Sequence, residues 1–193
     1  FIKSSFLIKI SCIASDLRNR MHCKYAPVHT GKPYPFMATT SFTKVGSIFL
    51  SNEDFIKQRL IEESQNLFDA EFYFPVFLLI SQGIETLGAF LDKKPLGAKS
   101  QSKKRFHLAI DQLFENNYQQ LTDRDWLYKQ FRCNMSHLAT TGGFIILASR
   151  KENRGEHLQV IEGQRLFIVE NLVEDFHKAC QTLILRLDKG EIK

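Results

Sequence analysis

Arg132 and His137, separated by four residues, are the side chains of this sequence with the clearest chemical potential. A guanidinium grips phosphate oxygens through a planar fork of donors, and an imidazole moves protons near neutral pH. Together they are the two groups that a metal-free ribonuclease needs. They lie in the stretch Trp126-Leu127-Tyr128-Lys129-Gln130-Phe131-Arg132-Cys133-Asn134-Met135-Ser136-His137, which reads as an amphipathic helix. At about 100° per residue, Leu127, Phe131, Met135 and Leu138 share a core face. Arg132, Ser136, Cys133 and His137 fall on the side turned away from it, and Asn134 points back to the core edge. Arg132 and His137 diverge by about 140° on a straight helix, so they do not aim at one atom. Two copies of this face meeting across a two-fold axis would let each site draw on both subunits.

The elements around this helix set its frame. Ser51-Asn52-Glu53-Asp54 is a helix start, with a hydroxyl cap and acids in the first turn. Phe55, Ile56, Leu60, Ile61, Leu67 and Phe68 then recur at helical spacing to about Tyr73. A second helix begins near Pro75, which suits a first turn, and stays apolar on nearly all sides to Leu91. With Gln82, Gly83 and Glu85 inside it, this segment reads as a buried helix rather than a membrane span. Lys93-Lys94-Pro95-Leu96-Gly97 breaks the pattern. Ser102 opens a third helix to about Tyr118, and Thr122-Asp123-Arg124-Asp125 resembles a capping box before the Arg132 helix. Thr140-Thr141-Gly142-Gly143 ends that helix. Residues 144–148, 158–161 and 166–169 are short β-prone runs, and a last helix covers about Glu170 to Leu187. The expected fold is mainly α: a bundle of about five helices with a small β-hairpin or meander before the last one.

Charge is unevenly placed. Of 26 basic and 21 acidic residues, six and one respectively fall in 1–36, which leaves the remainder formally neutral. The positive total therefore gives no support for broad nucleic-acid binding by the main body. Residues 1–36 also hold Pro27, Pro33 and Pro35, show no sustained apolar period and begin with Phe1. They read as a disordered arm or a non-native extension, with a processed leader as the other alternative, and 37–193 as a single domain. Cys12, Cys23, Cys133 and Cys180 form no CxxC pair, which argues against a zinc site. Two of them fall in helices, where reduced thiols fit a cytoplasmic protein.

Other residues have ordinary readings beside chemical ones. Arg150 and His157, in a loop between strands, also satisfy an arginine-to-histidine spacing of four to six intervening residues, so spacing alone proves little. Glu85 reads as a core-edge carboxylate hydrogen-bonded or paired with a base. Lys99, Lys103, Lys104 and Arg105 form a basic cluster that could guide RNA, or a solvated loop and helix start. His107, His177, Trp126 and Tyr128 suit packing or surface roles, and Cys133 a small interface position.

The arrangement Arg132-Cys-Asn-Met-Ser-His137 resembles the HEPN superfamily, small helical-bundle proteins marked by R-x(4–6)-H near the end of a late helix. The runs FPVFLLISQGIETLGAFL and DRDWLYKQFRCNMSHL are similar to bacterial members, and the likeness spans roughly residues 50–187. It departs from the commoner pattern at Cys133, where a polar residue often follows the arginine. The resemblance implies a metal-independent endoribonuclease without a cofactor, acting as a homodimer on RNA, in a toxin–antitoxin or defence setting with an antitoxin-type protein partner. It implies catalytic roles for Arg132 and His137 and substrate positioning by Asn134 and Ser136. The alternative is a non-catalytic helical domain that dimerises or binds a nucleotide, RNA or a protein.

Overall fold

Capping chemistry begins the helical part as expected: the Ser51 hydroxyl accepts the Asp54 backbone N–H at 3.0 Å. The computed structural model describes residues 42–45, 48–119, 121 and 124–192, all within one unit, Thr39–Lys193. The readings of 1–36, of Cys12 and Cys23, and of the Thr122-Asp123 cap lie outside the described residues.

Before the first helix, strands β1 (Phe42–Val45) and β2 (Ile48–Ser51) pair antiparallel, with Val45 opposite Ile48. The sequence reading missed this hairpin. Its signal is the two-residue Gly46-Ser47 spacer between β-prone runs. Helix α1 covers 52–69 in three continuous segments: α-helical Asn52–Phe55, a wider π-helical Ile56–Glu62, and α-helical Glu63–Asp69.

Helix α2 (Tyr73–Leu91) is the centre of the bundle and buries Val76, Phe77, Ile80, Ile84, Leu87 and Phe90. Among the described residues it is the one helix long and apolar enough to cross a membrane. Half of that window is buried inside the protein, as in a core helix. Helix α3 (Ser102–Leu113) lies against it at Gly88, where a Cβ would stand 1.7 Å from the Arg105 carbonyl oxygen. Only glycine permits that approach.

Helix α3 stops five residues short of the expected Tyr118. Phe114 turns extended (ψ 156°), and the short helix α4 (Asn116–Gln119) redirects Tyr118 into the core, where it is 2% exposed. Helix α5 then covers 124–138 as Arg124–Leu127, a π-helical Tyr128–Cys133 and Asn134–Leu138, and ends where Ala139 turns left-handed at φ 52°.

The β excursion consists of β3 (Ile145–Ala148), β4 (Val160–Ile161) and β5 (Gln164–Ile168), in the order β3-β5-β4. Glu162 and Gly163, at φ 50° and 80°, close β4 and β5 into a two-residue hairpin, whose turn requires positive φ. The hairpin reading is right and the meander reading is not, because β3 pairs with β5 in parallel. Residues 149–163 supply the crossover that a parallel pair needs. Helix α6 (Val169–Asp188) leaves β5 directly and buries the expected face of Leu172, Val173, Phe176, Cys180, Leu183 and Ile184. The Phe-rich composition becomes a core in which Phe77, Phe106, Phe131, Phe167 and Phe176 are all essentially sealed from water.

Candidate functional site

The Arg132 helix meets α2 through polar side chains. Arg132 Nε lies 2.6 Å from Glu85 Oε2, with side chains 14% and 18% exposed. The Nε–H does not point at that oxygen, so the pairing is Coulombic rather than a well-formed hydrogen bond. One turn further, Gln82 Nε2 donates to Ser136 Oγ, which donates in turn to the Arg132 carbonyl at 2.7 Å. Gln82 and Glu85 stand three apart on α2, and Arg132 and Ser136 four apart on α5. Both pairs therefore present neighbours on one helix face. The expectation that Glu85 pairs with a base is met by Arg132.

The sequence reading turned Arg132 and Ser136 away from the core and Leu138 towards it. Leu127, Phe131 and Met135 are buried as expected, but Leu138 is 67% exposed, while Arg132 and Ser136 are half-buried against α2. One cause explains both differences. In the π-helical segment Tyr128–Cys133 each residue bonds five positions ahead, so the chain rotates less per residue than a uniform α-helix. Residues after it lag behind a wheel drawn at constant pitch. Arg132 and Ser136 swing towards α2, and Leu138 swings off the core.

The four expected site residues do not converge within one chain. His137 is exposed near the helix end, with Leu138 beyond it. Asn134 Nδ2 donates to Gln130 Oε1 at 3.3 Å, and both side chains crowd Gly142, where a Cβ would meet the Gln130 oxygen at 1.4 Å. Asn134 thus tightens the turn after the helix, and Ser136 is engaged by Gln82. What remains open is on Arg132: beside the Glu85 carboxylate, neither of its Nη groups makes a hydrogen bond among the described residues. Cys133 sits beside the Tyr128 hydroxyl, which burial first and this thiol second push towards a higher pKa.

The basic cluster at the start of α3 is largely engaged within the fold. Arg105 is buried and donates to the Leu96 and Pro95 carbonyls at 2.7 Å each, which pins the α2–α3 connection. Lys104 pairs with Asp92 and Lys103 with Asp125. His107 reaches Asp125 at 3.5 Å and packs its ring on Tyr128. His177 contacts the fully buried Ser64 hydroxyl at 2.8 Å, and burial lowers its pKa.

Sequence reasoning missed a polar network under the β excursion. The Tyr118 hydroxyl donates to Asp175 Oδ2 at 2.9 Å and meets His157 Nε2 at 2.9 Å. His157 Nδ1 accepts the Ile168 N–H at 2.9 Å, so Nδ1 carries no proton and Nε2–H is the donor to Tyr118. The chain of bonds is satisfied with a neutral imidazole. Burial, with Arg150 second, lowers the His157 pKa to about 4, and burial raises that of Asp175.

Comparison with family models, with curated proteins and with solved structures finds no match.

Proposed function

We propose that this chain is a HEPN-like endoribonuclease that needs no metal and acts as a homodimer, with each site taking Arg132 from one subunit and His137 from the other. One observation carries the reading. The two long polar side chains of the otherwise apolar α2, Gln82 and Glu85, hold the polar face of α5 in place. A catalytic cation works best when its position is fixed before the reaction. In this reading Arg132 offers its open Nη groups to a phosphate oxygen. His137 moves the proton as the ribose 2′-OH attacks phosphorus, leaving a 2′,3′-cyclic phosphate and a 5′-OH. Exposed Leu138 and Phe144, 67% and 52% accessible, supply apolar contact for the second copy beside His137. The reduced Cys133 and Cys180 fit a cytoplasmic setting, in defence or paired with an antitoxin-type protein.

The test is RNA cleavage in EDTA by wild type, Arg132→Ala, His137→Ala and an equimolar mixture of the two variants after subunit exchange. Each variant alone should be inactive, and the mixture should recover about a quarter of wild-type activity, because half the dimers regain one intact site. Full activity in either variant, or none in the mixture, sinks the composite site.

One observation favours a second reading, a non-catalytic helical domain that dimerises or binds RNA, a nucleotide or a protein. Glu85 already compensates the Arg132 charge, which weakens its pull on phosphate. Wild type that binds RNA in EDTA without cleaving it would select this reading.

A further inference from the structure

The second arginine–histidine pair of the sequence lines a cavity of about 500 Å³ that shares no residue with the Arg132 helix. Its walls are polar: Arg150, Arg154, Asn153, Glu156 and Asn171, with His157 among them. The loop that carries them is tightly built. Ser149 donates its N–H and its hydroxyl to Glu152 Oε2 at 2.8 and 3.0 Å, and Gly155 N–H closes on Asn153 Oδ1 at 2.8 Å. Arg150 is fixed at both ends. Its backbone N–H donates to the two Glu170 carboxylate oxygens at 3.1 Å, and its Nη2 to Asn171 Oδ1 at 3.0 Å.

The charge at this cavity is unbalanced. Among the described residues neither the Arg150 nor the Arg154 guanidinium has a carboxylate within ion-pairing distance, and Arg154 has no hydrogen-bond partner. Two guanidinium groups at one concavity repel each other until an anion lies between them. Their planar forks match the oxygens of a phosphate. The volume is that of a small-molecule site. A polynucleotide would need a wider basic track, which the formally neutral body does not offer. Glu156 would repel a second phosphate but accepts hydrogen bonds from hydroxyl groups.

We propose that this cavity binds a small phosphorylated molecule of sugar-phosphate size. Arg150 and Arg154 take the phosphomonoester, and Asn153 and Glu156 take the hydroxyls. The site is independent of the reading of Arg132 and His137.

The test is calorimetric titration of the full chain with ribose 5-phosphate, inorganic phosphate and ribose at low salt. Arg154→Gln is the variant and Lys129→Gln the surface control. Arg154 is exposed and unpartnered, so its replacement should leave the melting temperature unchanged. Ribose 5-phosphate should bind saturably at one site and ribose should not bind. Arg154→Gln should weaken binding by at least about tenfold, the loss of one charge-assisted bond, and Lys129→Gln should not. The proposal is overturned if wild type binds neither phosphate probe, if it binds inorganic phosphate alone, or if Arg154→Gln binds ribose 5-phosphate as wild type does.

Discussion

Replacing His157 by Gln should flatten the dependence of stability on pH between 7 and 5. In the folded protein His157 is held neutral with a pKa of about 4, chiefly by burial, against 6.5 for an ordinary histidine. Between those values the unfolded chain binds a proton that the folded chain refuses, so stability is full above pH 6.5 and is lost as pH falls towards 4. By pH 5 the unfolded imidazole is nearly all protonated and the folded one nearly all neutral. The loss from this residue between pH 7 and 5 is about 2 kcal/mol. For a chain of this size that is a fall in melting temperature of roughly 4–8 °C. Asp175 acts with the opposite sign, since burial raises its pKa and the folded state takes up its proton more readily as the pH falls. Asp175 is present in both proteins, so its own contribution cancels in the difference. His177 shifts in the same direction as His157, but it is present in both proteins and cancels in the difference. The Gln amide can still donate to Tyr118, while the Ile168 N–H loses its acceptor, so the variant starts lower at pH 7 by about 1–3 kcal/mol. The informative quantity is the slope, from urea melts of both proteins at half-unit steps. Parallel slopes would refute the buried neutral histidine.

Two further substitutions probe the helix contacts. Gly88→Ala places a methyl 1.7 Å from the Arg105 carbonyl oxygen, so α2 and α3 must separate. About 1 kcal/mol of improved helix propensity offsets only part of an overpacking cost of about 3 kcal/mol or more, and a thermal melt should show a clear net loss. Glu85→Gln leaves Arg132 half-buried without its carboxylate and should cost about 1–3 kcal/mol in urea denaturation, below a fully sealed pair because both groups keep some water. Arg132→Gln added to Glu85→Gln should recover part of that loss, and simple additivity of the two would deny the pairing.

The apolar periodicity of α2 and α6 was legible because each buries a long face against several neighbours, and one pattern at constant pitch describes both. The same pattern fails in α5. A π-helical segment has no marker in Tyr128–Cys133 that a period count detects, so the positions of Arg132, Ser136 and Leu138 came out rotated. The end of α3 was misjudged for a tertiary reason. Phe114 and Tyr118 continue a helical apolar spacing, but Tyr118 is drawn out of register to meet His157 and Asp175, 39 and 57 positions away. No local rule links those residues. The partner of Glu85 was legible as a type, a base, while its identity as Arg132 required the packing of α2 on α5.

The electrostatics of the chain follow from where its cations are committed. Lys103, Lys104 and Arg105 look like a basic patch in sequence, yet ion pairs and carbonyls of the fold hold all three. Arg132 is held too, by the charge of Glu85, yet its Nη donors make no hydrogen bond among the described residues. Arg150 is anchored through its backbone N–H and one Nη without meeting a carboxylate at its guanidinium, and Arg154 is anchored by nothing polar among the described residues. The net charge of the body is therefore a poor guide to what it binds. A formally neutral body can still present two separate places where a guanidinium keeps donors without a hydrogen-bond partner among the described residues. Those places differ in kind: one is a supported helix face that, as proposed, is completed by a second subunit, and the other is an open loop cavity lined by residues of one chain. Protein concentration separates them. Activity that depends on Arg132 and His137 should fall on dilution as dimers dissociate, while binding at Arg150 and Arg154 should not change.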